Sequence, residues 1–296
     1  MTELLLKISE DIQDSTGKQF SLANHRSLSG GCINRAELLE GNGQRYFVKI
    51  NRRSLADMFE AEAEGLQSIQ ASRALRVPTP VCQGIWQDSA YLVLEYIELA
   101  NAAGAKTHAE LGRGLAKLHR TTADGFGWHR DNTIGATPQV NTWTDGWVEF
   151  FTKHRLGCQL QMAADNGVGR ETLLAGEQLL VRLNGFFIGY SPIPSLLHGD
   201  LWAGNFSAEL SGAAVVFDPA PYFGDRETDL AMTELFGGFD RAFYDAYSSL
   251  WALDAGYGTR KTLYNLYHVL NHFNLFGGGY GTQARRMIHQ LLKALG

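Results

Sequence analysis

Hydrophobic and polar positions follow one rhythm over the first hundred residues and another after them. Leu4–Asp14 reads as an amphipathic helix. Arg26–Leu28, Arg35–Leu39 and Arg45–Ile50 read as three short strands. Gly30-Gly31 separates the first two, and Glu40-Gly41-Asn42-Gly43 closes a tight hairpin between the second and third. Leu55–Ser72 predicts a helix, with Met58, Phe59, Leu66 and Ile69 near one face and Glu60, Glu62 and Glu64 interspersed. Val77-Pro78-Thr79-Pro80 must be extended, because each proline turns its predecessor away from the helical region. Val81–Trp86 and Tyr91–Tyr96 follow as a strand pair, and Asn101–Lys106, small and polar, reads as a connector.

Beyond that connector the period is helical. Ala109–Arg120, Asp145–Ala164, Glu171–Leu183, the 230s to 250s and Thr262–Phe276 all place apolar residues at helical spacing. One β interruption falls at Asn205–Leu210 and Ala213–Phe217, around Ser211-Gly212. There is no internal repeat. The pattern predicts an α+β chain with a sheet-rich lobe over residues 1–97, a helical lobe over 98–296, and a site between them.

Composition narrows the class without naming a function. The 296 residues are 45% hydrophobic and 19% charged, too apolar for disorder, with a formal net charge of −5. That mildly acidic balance offers no basic stripe for nucleic acid. No run approaches a membrane-spanning length, and Met1–Glu10 interrupts its apolar residues with Glu3, Lys7 and Glu10, unlike a secretory signal. Three scattered cysteines, Cys32, Cys82 and Cys158, suit a reducing, cytoplasmic setting better than a disulfide framework.

Candidate chemistry concentrates in His198-Gly199-Asp200-Leu201-Trp202-Ala203-Gly204-Asn205 and in Val215-Val216-Phe217-Asp218-Pro219-Ala220. A loop followed by a hairpin can bring Asp200, Asn205 and Asp218 into one cleft. Phosphoryl transfer needs such a set: one carboxylate facing the attacking hydroxyl, and hard oxygen ligands for Mg²⁺ on the phosphates. Upstream, Tyr46-Phe47-Val48-Lys49 places a lysine at the end of the third strand, where kinase folds keep the lysine that contacts phosphates. Glu62 on the next helix is its expected partner, with Glu60 and Glu64 as fallbacks. Gly30 and Gly31 could let backbone amides approach phosphate. Glu95, Tyr96 and Ile97 end the last strand where a backbone hinge would meet adenine. His268 and His272 stand at i, i+4, a spacing that can bind metal, but no Glu lies between them and the helix reads as a core packer rather than a metal site. Trp143, Trp147, Phe150 and Phe151 read as core, part of which could wall an acceptor pocket.

The departures from protein kinases are informative. The loop reads His-Gly-Asp, the later Asp218 is followed by Pro-Ala, and no full G-x-G-x-x-G is present. These features resemble the aminoglycoside phosphotransferase branch of the protein-kinase-like fold. Within it the chain resembles the fructosamine kinase family along nearly its whole length. The resemblance is carried by Gly30–Asn34, Tyr46–Lys49, Met58–Ala63, Asn132–Gly135, Pro138–Trp143, His198–Asn205, Asp218–Asp229 and Leu235–Phe239.

The resemblance implies a bilobal fold and ATP-dependent, Mg²⁺-assisted phosphorylation of the 3-hydroxyl of ketoamines: fructosamine, ribulosamine or erythrulosamine adducts of amines. It implies Asp200 as base, Asn205 and Asp218 as metal ligands, and Lys49 with Glu62 on the phosphates. Trp202 and His198 are candidate substrate contacts. Trp202 could lay its ring on the sugar or pack in the core, and Asp229 caps a helix or braces the catalytic loop. A small-molecule or protein-bound ketoamine is the expected partner, for a monomer or homodimer away from nucleic acid and membrane. The competing readings are an aminoglycoside, choline or homoserine phosphotransferase of the same fold, and a non-catalytic nucleotide-binding scaffold.

Overall fold

The computed structural model describes residues 2–28 and 33–296. The expected phosphate turn, Gly30-Gly31, and Cys32 lie outside the described residues. Helix α1 (Thr2–Thr16) precedes strands β1 (Asn24–Leu28), β2 (Arg35–Gly41) and β3 (Gln44–Arg52), helix α2 (Ala56–Ser72), and strands β4 (Pro80–Trp86) and β5 (Ser89–Glu95). The five strands form one antiparallel sheet in the order β1-β2-β3-β5-β4. The β2–β3 turn closes on Asn42 and Gly43, with φ of 50° and 72°, the left-handed pair that matches the twist of a hairpin.

Strand parity decides what each face of the sheet does. Tyr46, Val48 and Ile50 of β3 and Tyr91 and Val93 of β5 pack with Leu4, Leu5, Ile8 and Ile12 of α1. Phe47 of β3 and Leu92 and Leu94 of β5 pack instead with Met58, Phe59, Leu66 and Ile69 of α2. Lys49 shares the parity of Phe47, so it leaves the sheet on the α2 side.

The helical lobe contains α3 (Ala105–Leu118), α4 (Trp147–Phe151), α5 (Gly157–Asp165), α6 (Arg170–Arg182), α7 (Glu227–Leu235), α8 (Arg241–Leu250), α9 (Tyr257–Phe276) and α10 (Tyr280–Ala294). Three strand pairs are set among them: β6 (Asn132–Ile134) with β7 (Thr137–Gln139), β8 (Ser195–Leu196) with β11 (Phe223–Gly224), and β9 (Phe206–Ala208) with β10 (Ala214–Val216). One hydrophobic cluster runs through both lobes, joining Leu66, Ile69, Leu92 and Leu94 to Leu111, Leu115, Leu201, Val216, Leu230 and Phe243. The β9–β10 hairpin joins the chain on either side of β4 and β5: Ala100 N, after β5, donates to Ala208 O at 2.8 Å, and Val216 N donates to Arg76 O, before β4, at 3.0 Å.

Several expectations change. Asp145–Ala164 is not one α-helix, because Thr152–Leu156 winds a wider π-turn between α4 and α5. That turn carries Arg155 into the interior, where it donates to the Val140 carbonyl at 2.6 Å and to Asn141 Oδ1 at 2.6 Å. Helix α3 begins at Ala105, inside the expected connector. Helix α10 was not anticipated. Gly277 and Gly278, at φ of 66° and 63°, turn the chain sharply before it, and Ala284, Ile288 and Leu291 give it a buried stripe. The β6–β7 and β8–β11 pairs, two or three residues per strand, are too short to leave a period in the sequence. No described helix is long and apolar enough to cross a membrane.

Candidate active site

Lys49 links three elements. From β3 its Nζ lies 2.5 Å from Glu62 Oε1 on α2 and 2.6 Å from Asp218 Oδ1, just after β10. The lysine and Glu62 side chains are buried, whereas Asp218 is 54% exposed and faces the cleft. Burial alone would strip the proton from Lys49, but Asp218 and Glu62 outweigh it and hold the ammonium above its ordinary value. Burial also pushes the Asp218 carboxyl up, and the Lys49 charge more than reverses this. Asp218 takes φ of 52°, a left-handed backbone that is uncommon outside glycine. Glu60 and Glu64, the fallbacks for Glu62, instead take Arg130 as their partner.

The catalytic loop lies against this triad. Gly199 has φ of 84°, and a Cβ there would run into the Ala220 carbonyl oxygen, so the loop can approach the segment after Asp218 only as glycine. Asn205 Nδ2 donates to Asp200 O at 2.8 Å and to Asp200 Oδ2 at 3.2 Å. Burial and the nearby Asp218 charge push the Asp200 carboxyl up to about 7, with the Asn205 hydrogen bond opposing them. A carboxyl poised there can take a proton near neutrality.

Asp229 is a brace for the loop. From the first turn of α7 its two oxygens accept the backbone N–H groups of His198 at 2.7 Å and Gly199 at 2.8 Å. His119 Nε2 stands 3.1 Å from the same carboxylate, and its Nδ1 is 2.8 Å from Tyr247 Oη on α8. The assignment of His198 to substrate is corrected by the fold. His198 is fully buried, with Nε2 2.9 Å from the Phe217 carbonyl and Nδ1 accepting from Asp200 N at 3.3 Å. Its ring ties the loop to the strand before Asp218 and has no face for a ligand.

The remaining candidates divide. Trp202 is 39% exposed beside the loop, so the core reading of it is set aside. Trp147, Phe150 and Phe151 are core, while Trp143 is 48% exposed and stacks on Phe223. Glu95 is committed inside the fold: its N–H donates to Thr79 O at 2.9 Å, and its carboxylate pairs with Arg76, which also reaches Glu209 at 3.0 Å. Tyr96 and Ile97 line a pocket of about 340 Å³ at the hinge, together with Arg45 and Glu98. His272 Nδ1 donates to the His268 carbonyl at 2.8 Å, and no group of three His, Cys, Asp or Glu among the described residues could hold a metal ion. Cys82 and Cys158 are free thiols pushed up by burial, Cys82 to about 11.

One polar network has no counterpart in the candidates drawn from sequence. Arg155 lies 3.9 Å from the Tyr222 ring centroid and 4.6 Å from that of Phe150. Through Asn141 it connects to Asn132, whose Oδ1 also accepts from Gln139 at 2.8 Å. Asn132 and Gln139 donate to the carbonyls of Pro221 and Ala220, and Tyr267 closes the chain on Gln139 at 2.7 Å. The β6–β7 hairpin thus clamps the segment after Asp218. Its residues fall in the blocks Asn132–Gly135 and Pro138–Trp143, which carried a resemblance but no chemistry.

Two carboxylates, Glu62 and Asp218, flank the one Lys49 ammonium, and the Asp200 carboxyl is near enough for Asp218 to raise it. Such a cleft repels a polyphosphate unless cations accompany it. With its amide nitrogen on Asp200, Asn205 has its side-chain oxygen left as a donor, and its backbone carbonyl accepts from Phe217 N, one residue before Asp218, at 3.0 Å. Two hard oxygen donors without sulfur or imidazole suit Mg²⁺, which takes its other ligands from phosphate and water.

Comparisons with known proteins place the chain in a family. The fructosamine kinase family model matches residues 4–294. A probable ketoamine kinase of Synechocystis is 47% identical over 97% of this chain and 96% of its own. A chloroplastic protein-ribulosamine 3-kinase of Arabidopsis thaliana is 40% identical over 94% of this chain and 86% of its own. Among solved structures, a Haemophilus somnus protein provisionally named fructosamine-3-kinase superposes with a TM-score of 0.88 at 30% identity, covering 96% of both chains. A thermostable mutant of the aminoglycoside phosphotransferase APH(4)-Ia, at 17% identity and a TM-score of 0.63 over 97% of this chain and 98% of its own, shares the fold. With a family match over nearly every residue and relatives 40% and 47% identical along almost their whole length, the chain belongs to the fructosamine kinase family.

Proposed function

We propose that this chain transfers the γ-phosphoryl group of ATP to the 3-hydroxyl of a ketoamine, the adduct of a reducing sugar with an amine. The phosphorylated adduct is unstable and releases the amine, so the activity amounts to repair. The observation that carries this reading is Lys49 held between Glu62 and Asp218, with Asp200 and Asn205 on the adjoining loop. One relative supports it: a protein named for 3-kinase activity on ribulosamines.

In this mechanism Lys49, kept charged by its two carboxylates, steadies the phosphates. Asp200 accepts a hydrogen bond from the sugar hydroxyl and takes its proton late. The bond from the sugar oxygen to phosphorus forms as the bond from the γ-phosphorus to the β,γ-bridging oxygen breaks, and ADP leaves. Asn205 and Asp218 would hold Mg²⁺, which neutralises phosphate charge when bound. The backbone at Tyr96 and Ile97 meets adenine. Residues 1–97 then serve as the nucleotide lobe and 98–296 carry the catalytic loop and acceptor site, in a cytoplasmic enzyme.

The test is mass spectrometry on ketoamine-modified lysines incubated with ATP and Mg²⁺. A gain of about 80 Da, the mass of a phosphoryl group, confined to the ketoamines is the expected result. A gain on aminoglycosides or choline instead, or on nothing, would overturn it.

A further inference from the structure

Helix α2 carries acidic residues on two sides. Glu62 faces Lys49, while Asp57, Glu60 and Glu64 share the opposite side of the helix axis. One side chain of the helical lobe meets all three. Arg130, just before β6, pairs its Nη1 with Glu64 Oε1 at 2.7 Å and its Nη2 with Asp57 and, at 3.4 Å, with Glu60 Oε2. His129 Nε2 adds a second contact to Glu64 at 2.6 Å. The Arg130 side chain is 19% exposed, so water screens these pairs less than it would on an open surface. Without it, Glu60 and Glu64 would be like charges one helical turn apart, which destabilises a helix.

The arginine is held rigidly from its own lobe. Trp128 is buried, and its N–H donates to Asn141 O at 2.9 Å. Asn141 in turn donates from Nδ2 to Arg130 O at 3.1 Å and from its backbone N–H to Asp131 Oδ1 at 2.8 Å. Its Nδ2 also reaches Asn132 Oδ1 at 2.9 Å, and Asn132 Nδ2 donates to Pro221 O at 2.8 Å, three residues after Asp218. Helix α2 touches that segment directly, since a Cβ on Gly65 would stand 2.9 Å from Pro221 Cγ. Residues 128–141 therefore grip both α2, which carries Glu62, and the chain that follows Asp218. Those two carboxylates share the Lys49 ammonium. Their mutual repulsion drives them apart, so an external frame is needed to keep both in place.

We propose, on the phosphotransferase reading above, that Arg130 is a positioning residue for phosphoryl transfer. It seats α2 on the helical lobe so that Glu62 stays on Lys49 opposite Asp218. Arg130 acts on the phosphates only through Glu62 and Lys49. Removing it lets α2 turn or lift, and Lys49 is left with Asp218 alone.

The test is a double-mutant cycle on kcat/KM for ATP, with a ribulosyl-lysine acceptor, that combines Arg130→Gln with Glu62→Gln. Arg130→Gln is expected to lower kcat/KM about tenfold in the wild-type background and less than about twofold where Glu62 is already glutamine. A general loss of folded enzyme would cost the same in both backgrounds. Arg130→Lys keeps the charge without the planar fork and should recover part of the loss. Glu64→Gln, on the side of α2 away from Lys49, leaves residues 128–141 intact. It should give a smaller loss with the same non-additivity, and it carries the test if Arg130→Gln folds poorly. A loss that persists undiminished in the Glu62→Gln background, or wild-type kcat/KM in both Arg130→Gln and Glu64→Gln, overturns the positioning role alone. If the wild type phosphorylates no ketoamine, the proposed acceptor falls. The same cycle is then read on the dissociation constant of ATP with Mg²⁺, where Arg130→Gln should weaken binding about threefold only while Glu62 is present. Additivity there overturns the positioning role as well, and a wild type that binds no ATP overturns both readings.

Discussion

In the proposed mechanism the chemistry turns on Asp200, and its surroundings raise its carboxyl to where a base is useful. Burial and Asp218 raise its carboxyl to about 7, well above an unfolded aspartate at about 3.9. The folded chain therefore binds this proton more tightly than the unfolded chain does. The contribution of Asp200 to stability is intact below pH ~4, declines as pH rises, and is lost above pH ~7. Asp200→Asn removes that loss while keeping an oxygen for Asn205. The variant is expected to equal wild type in thermal stability near pH 4 and to exceed it at pH 8, while kcat falls about 10²- to 10⁴-fold. Thermal melts across pH and steady-state kinetics check both halves. A variant that kept wild-type turnover would remove Asp200 from the role of base. For wild type, kcat/KM should rise with pH through an apparent pKa near 7, and this limb should be absent from whatever activity Asp200→Asn retains.

Residue type named the site, but not every role within it. That Lys49, Asp200, Asn205 and Asp218 would lie close together was legible, because the proposed chemistry needs particular side chains at particular places on a strand or loop. His198 was misread, since a histidine beside a catalytic aspartate looks the same in sequence whether it faces the ligand or the interior. Its burial is set by Phe217, nineteen residues away in the chain.

At the scale of elements, close helix packing decides where glycine is required. Gly112 in α3 faces α8, and a Cβ there would run into the Phe243 carbonyl oxygen and lie 3.2 Å from Tyr247 N. Gly258, in the first turn of α9, has nothing within 4 Å. Helix propensity alone favours alanine at both positions by up to about 1 kcal/mol. Gly258→Ala should gain part of that, whereas Gly112→Ala should be destabilised by about 1–3 kcal/mol because α3 and α8 must part. Urea unfolding of the two variants measures the contrast. Parting these helices also moves Tyr247, which holds His119 against Asp229, so Gly112→Ala should lower kcat as well. The elements themselves were visible from sequence wherever the buried face was long enough to show a period. They were hidden where it was not: the π-turn at Thr152–Leu156 and the three-residue strands of the β6–β7 hairpin owe their shape to partners far along the chain.

Over the whole molecule, the cleft is acidic and its lysine already occupied, so nucleotide and metal should bind together. Mg²⁺ with ATP at about a hundred times the dissociation constant should add about 2.7 kcal/mol of stability. ATP with a chelator should add much less, because Glu62, Asp200 and Asp218 repel bare phosphates. Differential scanning fluorimetry with and without Mg²⁺ measures this, and equal shifts under both conditions would remove Asn205 and Asp218 from a metal role.

By itself the sequence determined the sheet-rich and helical lobes, the strand that carries Lys49, and the catalytic loop, because periodicity and short motifs are local properties of a chain. Only the tertiary structure decided that Lys49 serves Glu62 and Asp218 at once, that Asp229 holds the loop by its backbone, and that the β6–β7 hairpin clamps the segment after Asp218. It also brought Arg130 of the helical lobe against Asp57, Glu60 and Glu64 of α2. Each of these joins groups that lie tens of residues or more apart. Hydrogen bonds and ring contacts act over a few ångströms, so which distant residues meet is settled by packing and leaves no local trace in the order of residues.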